Sequence, residues 1–379
     1  MKTIATLLTI RTVLNSCHSQ IPMDLNEIDK ILTDQVESGK TPSAQYYFFD
    51  KDSVIKSFQV GLSDISKEIK VDSSTTYNAF SVTKTFTALA VLQLAENGEI
   101  DINSAVSQYL PDFIYGEEIT VKQLLNHTGG LPNPIPLNWI HLDTEHKTFD
   151  RHTFFKSILE KNNKTRSDPN AKFSYSNLGY VVLGELIEEV SGETYEDYIT
   201  ENIINKLPID SNDLTFEIVN KKRHAKGYHK KLSFSNLILG FLMNKSKYMG
   251  ESEGKWRSFK SFYINGPSYG GLIGTPTSFI AYLQEMLKTN SDLLSDEYKQ
   301  MLFRENMTHK GKNTGMCLSW FSGDLDGKKY VAHAGGGGGY YCEIRIYPDL
   351  KKGSVLFFNR TGMSDERFLD KLDKYFMNE

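Results

Sequence analysis

Apolar residues recur at helical spacing from Met23 to Gly39, at Leu25, Ile28, Ile31, Leu32 and Val36, and stop at a glycine, which predicts an amphipathic helix. Two β-rich stretches follow, Ser43–Phe49 and Val54–Val60, separated by Asp50–Ser53. They predict a hairpin. Ser81–Glu96 differs, because Phe86, Ala88, Leu89, Ala90, Val91, Leu92, Leu94 and Ala95 leave almost no polar face before Asn97-Gly98. That pattern predicts a helix buried on most sides. Between Gly98 and Leu214, helical patterns alternate with Pro- and Asn-rich loops such as Leu131–Pro136. Strand-like segments return at Gly315–Phe321, Lys329–Ala332, Tyr340–Tyr347 and Ser354–Asn359, and a last helix is expected over Asp365–Phe376. Links as short as Asp326-Gly327 and Pro348–Gly353 imply antiparallel pairing. The expected fold class is α/β (α+β). An antiparallel sheet built from residues 24–97 and 265–379 is flanked by the N- and C-terminal helices and stands beside a mainly helical domain over 98–264, with a cleft where the two meet.

Composition narrows the function classes. With 379 residues, 39% of them hydrophobic, the chain can bury a substantial core, in about two domains or one interleaved unit. A formal charge of −4 gives no general electrostatic reason to expect nucleic acid as a partner. The 3 cysteines, Cys17, Cys317 and Cys342, are too few for a disulfide scaffold or a zinc site of the CxxC type. The 9 histidines lack HExxH or HxH spacing, so neither a metal nor another cofactor is expected.

The N-terminus bears on the compartment. Met1-Lys2 and the mostly apolar run Ile4–Leu14, too short to span a bilayer, read as a secretory signal over residues 1–17. Leu14-Asn15-Ser16-Cys17 resembles a bacterial lipobox, which implies export to the cell envelope and anchoring through a lipidated Cys17. Arg11 and Asn15 depart from that pattern, so a plain cleaved signal and a disordered cytosolic start are the alternatives. After export Cys317 and Cys342 either pair or remain ordinary buried thiols.

Three sites carry candidate chemistry. Ser81 and Lys84 put a hydroxyl and an amine on one face at the start of the buried helix, and a lysine of depressed pKa can take the proton of a serine nucleophile. Ser53/Lys56 and Ser252/Lys255 share the spacing without the helix, and an N-cap is the bland role for Ser81. Tyr175 and Asn177, on the loop before the helical run Leu178–Val190, offer a phenol to move a proton and an amide to grip a substrate. Tyr263-Ile264-Asn265 matches as well. His333-Ala334-Gly335-Gly336, at the end of a strand, offers backbone N–H groups that a ligand can approach closely; a glycine-rich turn is the alternative.

In this order the three sites resemble the serine β-lactamase and DD-peptidase superfamily, particularly its class C β-lactamase-like branch, with SxxK, then YxN, then KTG or HxG on an edge strand. Asn78-Ala79-Phe80, Tyr109-Leu110-Pro111, Leu124–Pro132, Phe173–Gly179 and Gly270-Gly271-Leu272 extend the resemblance over most of the chain after Cys17. It implies a β-lactamase/transpeptidase-like fold and acylation followed by attack of water. In that scheme Ser81 is the nucleophile, Lys84 its activator, Tyr175 the proton carrier and Asn177 a substrate-orienting group. The triplet from His333 borders the substrate, and the N–H groups of Ser81 and Gly336 form the oxyanion hole.

One departure bears on substrate. Penicillin-recognising members usually carry a hydroxyl residue where Ala334 stands, and His333 is positive only at mildly acid pH. An ester, or a small-molecule or peptide amide, is therefore the expected substrate, ahead of a β-lactam. A D-Ala-D-Ala carboxypeptidase shares all the motifs, and a catalytically silent sensor is the rival from outside enzymology. His127 is expected to fix its loop. The basic and apolar insertion over 221–247, with 8 basic residues and no acid, suggests either a lipid-facing segment or, preferred, a flap beside the cleft.

Overall fold

The computed structural model describes residues 25–232, 244–361 and 367–377. The leader, Cys17 and almost all of the apolar run Leu232–Met243 lie outside these residues; Leu232 itself is exposed.

The first helix, α1 (Asn26–Glu37), leads into β1 (Ser43–Asp50), β2 (Val54–Asp64) and β3 (Ile69–Lys70). Far along the chain come β4 (Phe321–Leu325), β5 (Lys328–Gly337), β6 (Tyr340–Tyr347) and β7 (Lys352–Phe358). These strands make a seven-stranded sheet in the order β4-β5-β6-β7-β1-β2-β3 with antiparallel neighbours. The two ends of the chain meet where β1 pairs with β7, from Ala44↔Phe358 to Asp50↔Lys352. β1 is buried on both faces, so its sequence shows no polar alternation. Tyr46 and Phe48 join Leu356 and Phe358 under α1 and the terminal helical turns Asp370–Asp373 and Lys374–Phe376. Tyr47 and Phe49 join Val355 and Phe357 in the opposite core, which holds α2 (Thr83–Glu96).

A buried ion cluster ties the terminal segment down. Arg345, wholly buried on β6, pairs with Glu343 at 3.0 Å and Asp370 at 2.7 Å. It also lies 3.7 Å from Asp373, which accepts hydrogen bonds from Tyr46, Tyr347 and Ser354. Phe376 stacks on Phe48 at 3.8 Å, and burying such a ring is worth about 2 kcal/mol.

The middle of the chain is helical as expected up to Asn202, including Val121–Leu125, Arg151–Lys161, α3 (Asn177–Ser191) and Tyr195–Asn202. Beyond Leu214 it is not. Tyr228–Lys230, Met249–Glu253 and Trp256–Phe259 form a small sheet, and Phe262–Ile264 pairs with Ile140–Leu142. Another helix, α4 (Pro276–Leu287), stands in the sheet-containing part where no element was predicted; Thr275 caps it by accepting from the Ser278 N–H. Gly315–Phe321 is a loop that becomes a strand only at Phe321, because Gly315 and Ser319 both take left-handed φ, which breaks the pleat. The terminal helix is shorter than expected, beginning at Asp370; Asp365 and Glu366 are outside the described residues.

Candidate active site

Every residue of α2 except Glu96 is buried, so its N-terminus is anchored deep between the sheet and α3. Ser81 sits just ahead, in the 3-10 turn Phe80–Val82, and Phe80 enters that turn at φ +47°. Left-handed backbone costs a non-glycine residue about 1–2 kcal/mol, which the packing of the Phe80 ring against Phe262 and Tyr340 offsets. Ser81 is not a helix cap: the position before α2 is Val82, and neither turn has a side-chain cap. The Ser81 Oγ instead lies 3.1 Å from Lys84 Nζ and accepts a hydrogen bond from the Tyr175 hydroxyl at 2.9 Å.

Lys84 is wholly buried, and burial pushes its ammonium well below its ordinary pKa. Its other two partners, Asn177 Oδ1 at 2.8 Å and the Tyr269 carbonyl at 2.7 Å, can only accept. A neutral amine therefore spends both N–H bonds on them and turns its lone pair to the Ser81 hydroxyl. The Tyr269 carbonyl was not foreseen, because any residue type supplies one. Asn133 was also missed; its Oδ1 takes the Asn177 N–H at 3.0 Å and the Asn177 amide at 3.2 Å, fixing the amide's direction.

Tyr175 reaches Ser81 because its loop is pinned at both sides. Ser176 caps α3 through the Gly179 N–H and donates to the Pro132 carbonyl, while its own N–H donates to His127 Nδ1 at 3.2 Å. That bond makes Nδ1 an acceptor, and the His127 ring packs 4.3 Å from the Tyr175 ring. Burial and the nearby Lys84 hold His127 neutral. It is a brace for the loop.

The expected third element is displaced relative to its strand. β5 does not end at His333 but continues through Gly337, and Gly338-Gly339, both at positive φ, make the two-residue turn into β6. β4 pairs with β5 only as far as Ala332, so His333–Gly337 is a free sheet edge lying against the Ser81 turn. Gly335 permits the approach: a Cβ there would stand 2.1 Å from the Ala79 carbonyl oxygen and 3.0 Å from the Ser81 nitrogen. His333 cannot serve as a mild-acid cation, since burial and Lys84 push its pKa down to about 3. Ala334 points to the terminal-helix face of the sheet.

The look-alike pairs stay apart from this site. Ser53 bonds Asp50, Lys56 pairs with Asp29, Tyr263 bonds Glu217, and Asn265 bonds His141. Cys317 and Cys342 are unpaired thiols bonded to the carbonyls of Phe303 and Ala79.

Ser81, Tyr175, Asn177 and Gly336 border a cavity of about 510 Å³ whose other walls include Phe80, Trp139 and Ile264. Tyr175 and Gly336 also border a second cavity, of about 770 Å³, reached past His333 and Ala334 and containing Glu343 and Arg367.

The family model named Beta-lactamase matches residues 28–375. The chain belongs to the Beta-lactamase family. This family and its penicillin-binding relatives comprise serine hydrolases that work through an acyl-enzyme on amides or esters. Protein flp of Staphylococcus aureus (strain MW2) is 32% identical over 209 residues, which is 53% of this chain and 41% of that protein. Penicillin-binding protein 4* of Bacillus subtilis (strain 168) is 25% identical over 308 residues, 79% of this chain and 64% of that protein. The chain thus spans about half the length of the curated relatives it matches. The octameric penicillin-binding protein homologue from Pyrococcus abyssi superposes with a TM-score of 0.74 at 22% identity, covering 90% of this chain and 74% of that one. Its likeness is one of fold: the mixed α/β architecture with a central antiparallel sheet is that of the β-lactamase family.

Proposed function

We propose that the protein is a serine hydrolase that cleaves an ester or amide through an acyl-enzyme on Ser81. The observation that carries this is one oxygen, Ser81 Oγ, held between a buried amine at 3.1 Å and a phenol at 2.9 Å at the mouth of a cavity. Lys84 takes the Ser81 proton as Oγ attacks the carbonyl carbon, and the N–H groups of Ser81 and Gly336 hold the oxyanion. Tyr175 gives a proton to the departing oxygen or nitrogen, and the proton on Lys84 restores it along the same hydrogen-bonded chain. Asn177, bonded to Lys84 and Asn133, keeps an amide hydrogen for the substrate. Water then repeats the attack on the acyl-serine.

The test is hydrolysis of p-nitrophenyl acetate by wild type and Ser81→Ala, each with and without benzylpenicillin. Turnover that needs Ser81 is expected; an equally active Ser81→Ala protein refutes the assignment, and a protein that binds without any turnover is the silent sensor. A β-lactamase or D-Ala-D-Ala carboxypeptidase is the second reading, favoured by Arg367, the one Lys or Arg among the described lining residues of the second cavity, since such substrates carry a carboxylate. Inhibition by benzylpenicillin supports it. With a neutral His333 and Ala334 in the triplet, the expected result is turnover that benzylpenicillin does not block.

Among the described residues no helix is long and apolar enough to cross a membrane. Anchoring at the cell envelope through Cys17 is part of the proposal, and incorporation of a fatty-acid analogue by wild type but not Cys17→Ala is its check.

A further inference from the structure

The two cavities that meet at Tyr175 differ in kind. The one containing Ser81 and Asn177 has, among its described lining residues, no Asp, Glu, Lys or Arg and one histidine, His229; its apolar side chains include Phe80, Leu137, Trp139, Phe259 and Ile264. The second contains neither Ser81 nor Asn177 and carries the charged pair Glu343 and Arg367. The group that stays bonded to Ser81 through the intermediate must lie in the cavity that Ser81 borders. The group that takes a proton from Tyr175 departs past the tyrosine. Taking the serine hydrolase reading as its basis, we infer that the Ser81 cavity is an acyl-chain pocket selective for uncharged, apolar acyl groups of medium length, aliphatic or aromatic.

Three physical arguments bear on this. A cavity of about 510 Å³ lies within the range that holds a small-molecule ligand and far exceeds what an acetyl group fills. An acyl group bearing a carboxylate or an ammonium would enter a wall whose described residues offer no Asp, Glu, Lys or Arg to pair with it, and an unpaired charge is costly to bury. Lys84 does not change that balance, because burial favours its neutral form and its partners already surround it. Each methylene moved from water into such a wall favours the bound state by about fourfold.

The experiment uses the full chain and p-nitrophenyl esters from acetate to decanoate, with the half-ester of succinate as the charged probe and Ser81→Ala as the blank. Serine-dependent kcat/KM should rise about fourfold per methylene until the cavity fills, and the succinyl ester should react at least tenfold more slowly than butyrate. Leu137→Trp, a half-buried loop position in the wall, should move the optimum to shorter chains, with far-UV circular dichroism confirming the fold. A flat or falling profile with serine-dependent turnover overturns the acyl pocket and leaves the hydrolase standing. So does a length preference found only in the alcohol half of a series of alkyl acetates. Should no ester turn over, binding decides: quenching of tryptophan fluorescence by octanamide but not by acetamide or succinamate, lost in Trp139→Phe, supports the pocket while the hydrolase reading fails. Absence of that quenching overturns the pocket as well.

Discussion

The sheet buries a cation on each side, and the two are treated in opposite ways. Arg345 lies under the terminal turns with Glu343, Asp370 and Asp373 around it. Burial disfavours its charge, but Asp373 and Glu343 outweigh that, so it stays fully ionised. Lys84 lies on the other side with an amide oxygen, a carbonyl and a hydroxyl, and among the described residues no carboxylate pairs with it. Burial then has nothing to oppose it, and the amine is driven toward neutrality. A compensated charge holds structure together, whereas an uncompensated cation tends to shed its proton, and the neutral amine is then available to accept one.

Exchanging each cation for a neutral chain of similar length breaks the comparison most sharply. Lys84→Met should lower turnover about 10³-fold, the usual contribution of a general base, while its stability should fall by less than that of Arg345→Met because hydrogen bonds but no ion pair are lost. In the wild type, turnover should fall as pH drops and the amine gains its proton, with the midpoint of this acid limb well below 10.5. Arg345→Met should do the reverse. Leaving buried carboxylates unpaired costs about 3–5 kcal/mol, read as a lower urea midpoint, with near-normal turnover in the molecules that remain folded. Equal stability losses in the two variants would erase the distinction.

Gly335→Ala probes the contact between the sheet edge and the Ser81 turn. Its methyl would stand 2.1 Å from the Ala79 carbonyl oxygen, so the turn or the strand must shift by about 1 Å. Steady-state kinetics should show a loss of about 10²-fold, with a loss of stability of about 1–3 kcal/mol in the melting curve.

Stability at mildly acid pH should respond as well. His333 and His224 titrate near 3 and 4 in the folded chain against an ordinary value of 6.5, burial being the main cause in both. As pH falls below about 6.5 the unfolded chain gains protons that the folded one refuses. Stability should therefore drop from about pH 6.5 toward 4, with a limiting slope of about 1.4 kcal/mol per pH unit for each histidine that stays neutral in the folded chain. Urea midpoints at pH 7, 5 and 4 give the slope, and His333→Gln should flatten it.

Several of these relations are local and so were legible in the chain. A helix apolar on all sides must be buried, and a lysine one turn after a serine must share its face, so Ser81 and Lys84 could be paired before any coordinates. The pairing of β1 and β2, the turn between β4 and β5, and the position of Tyr175 ahead of α3 follow from period, glycine and loop composition within short spans. The readings that failed were also instructive. Gly315–Phe321 carries strand-forming residues but is held in turns, and α4 went unforeseen although Pro276 and Thr275 mark its start.

What the amino-acid order determined by itself is which chemical groups sit on one element and which faces must be covered, because spacing along a helix or strand is set by backbone geometry. Tertiary structure alone decided the rest: that β1 pairs with β7 about 300 residues later, that the Tyr269 carbonyl and Asn177 close around Lys84, that burial disfavours the charged form of His333, and that the described wall of the Ser81 cavity holds no Asp, Glu, Lys or Arg. Each of these depends on distance and desolvation between segments far apart in sequence, and neither is a property of any segment alone.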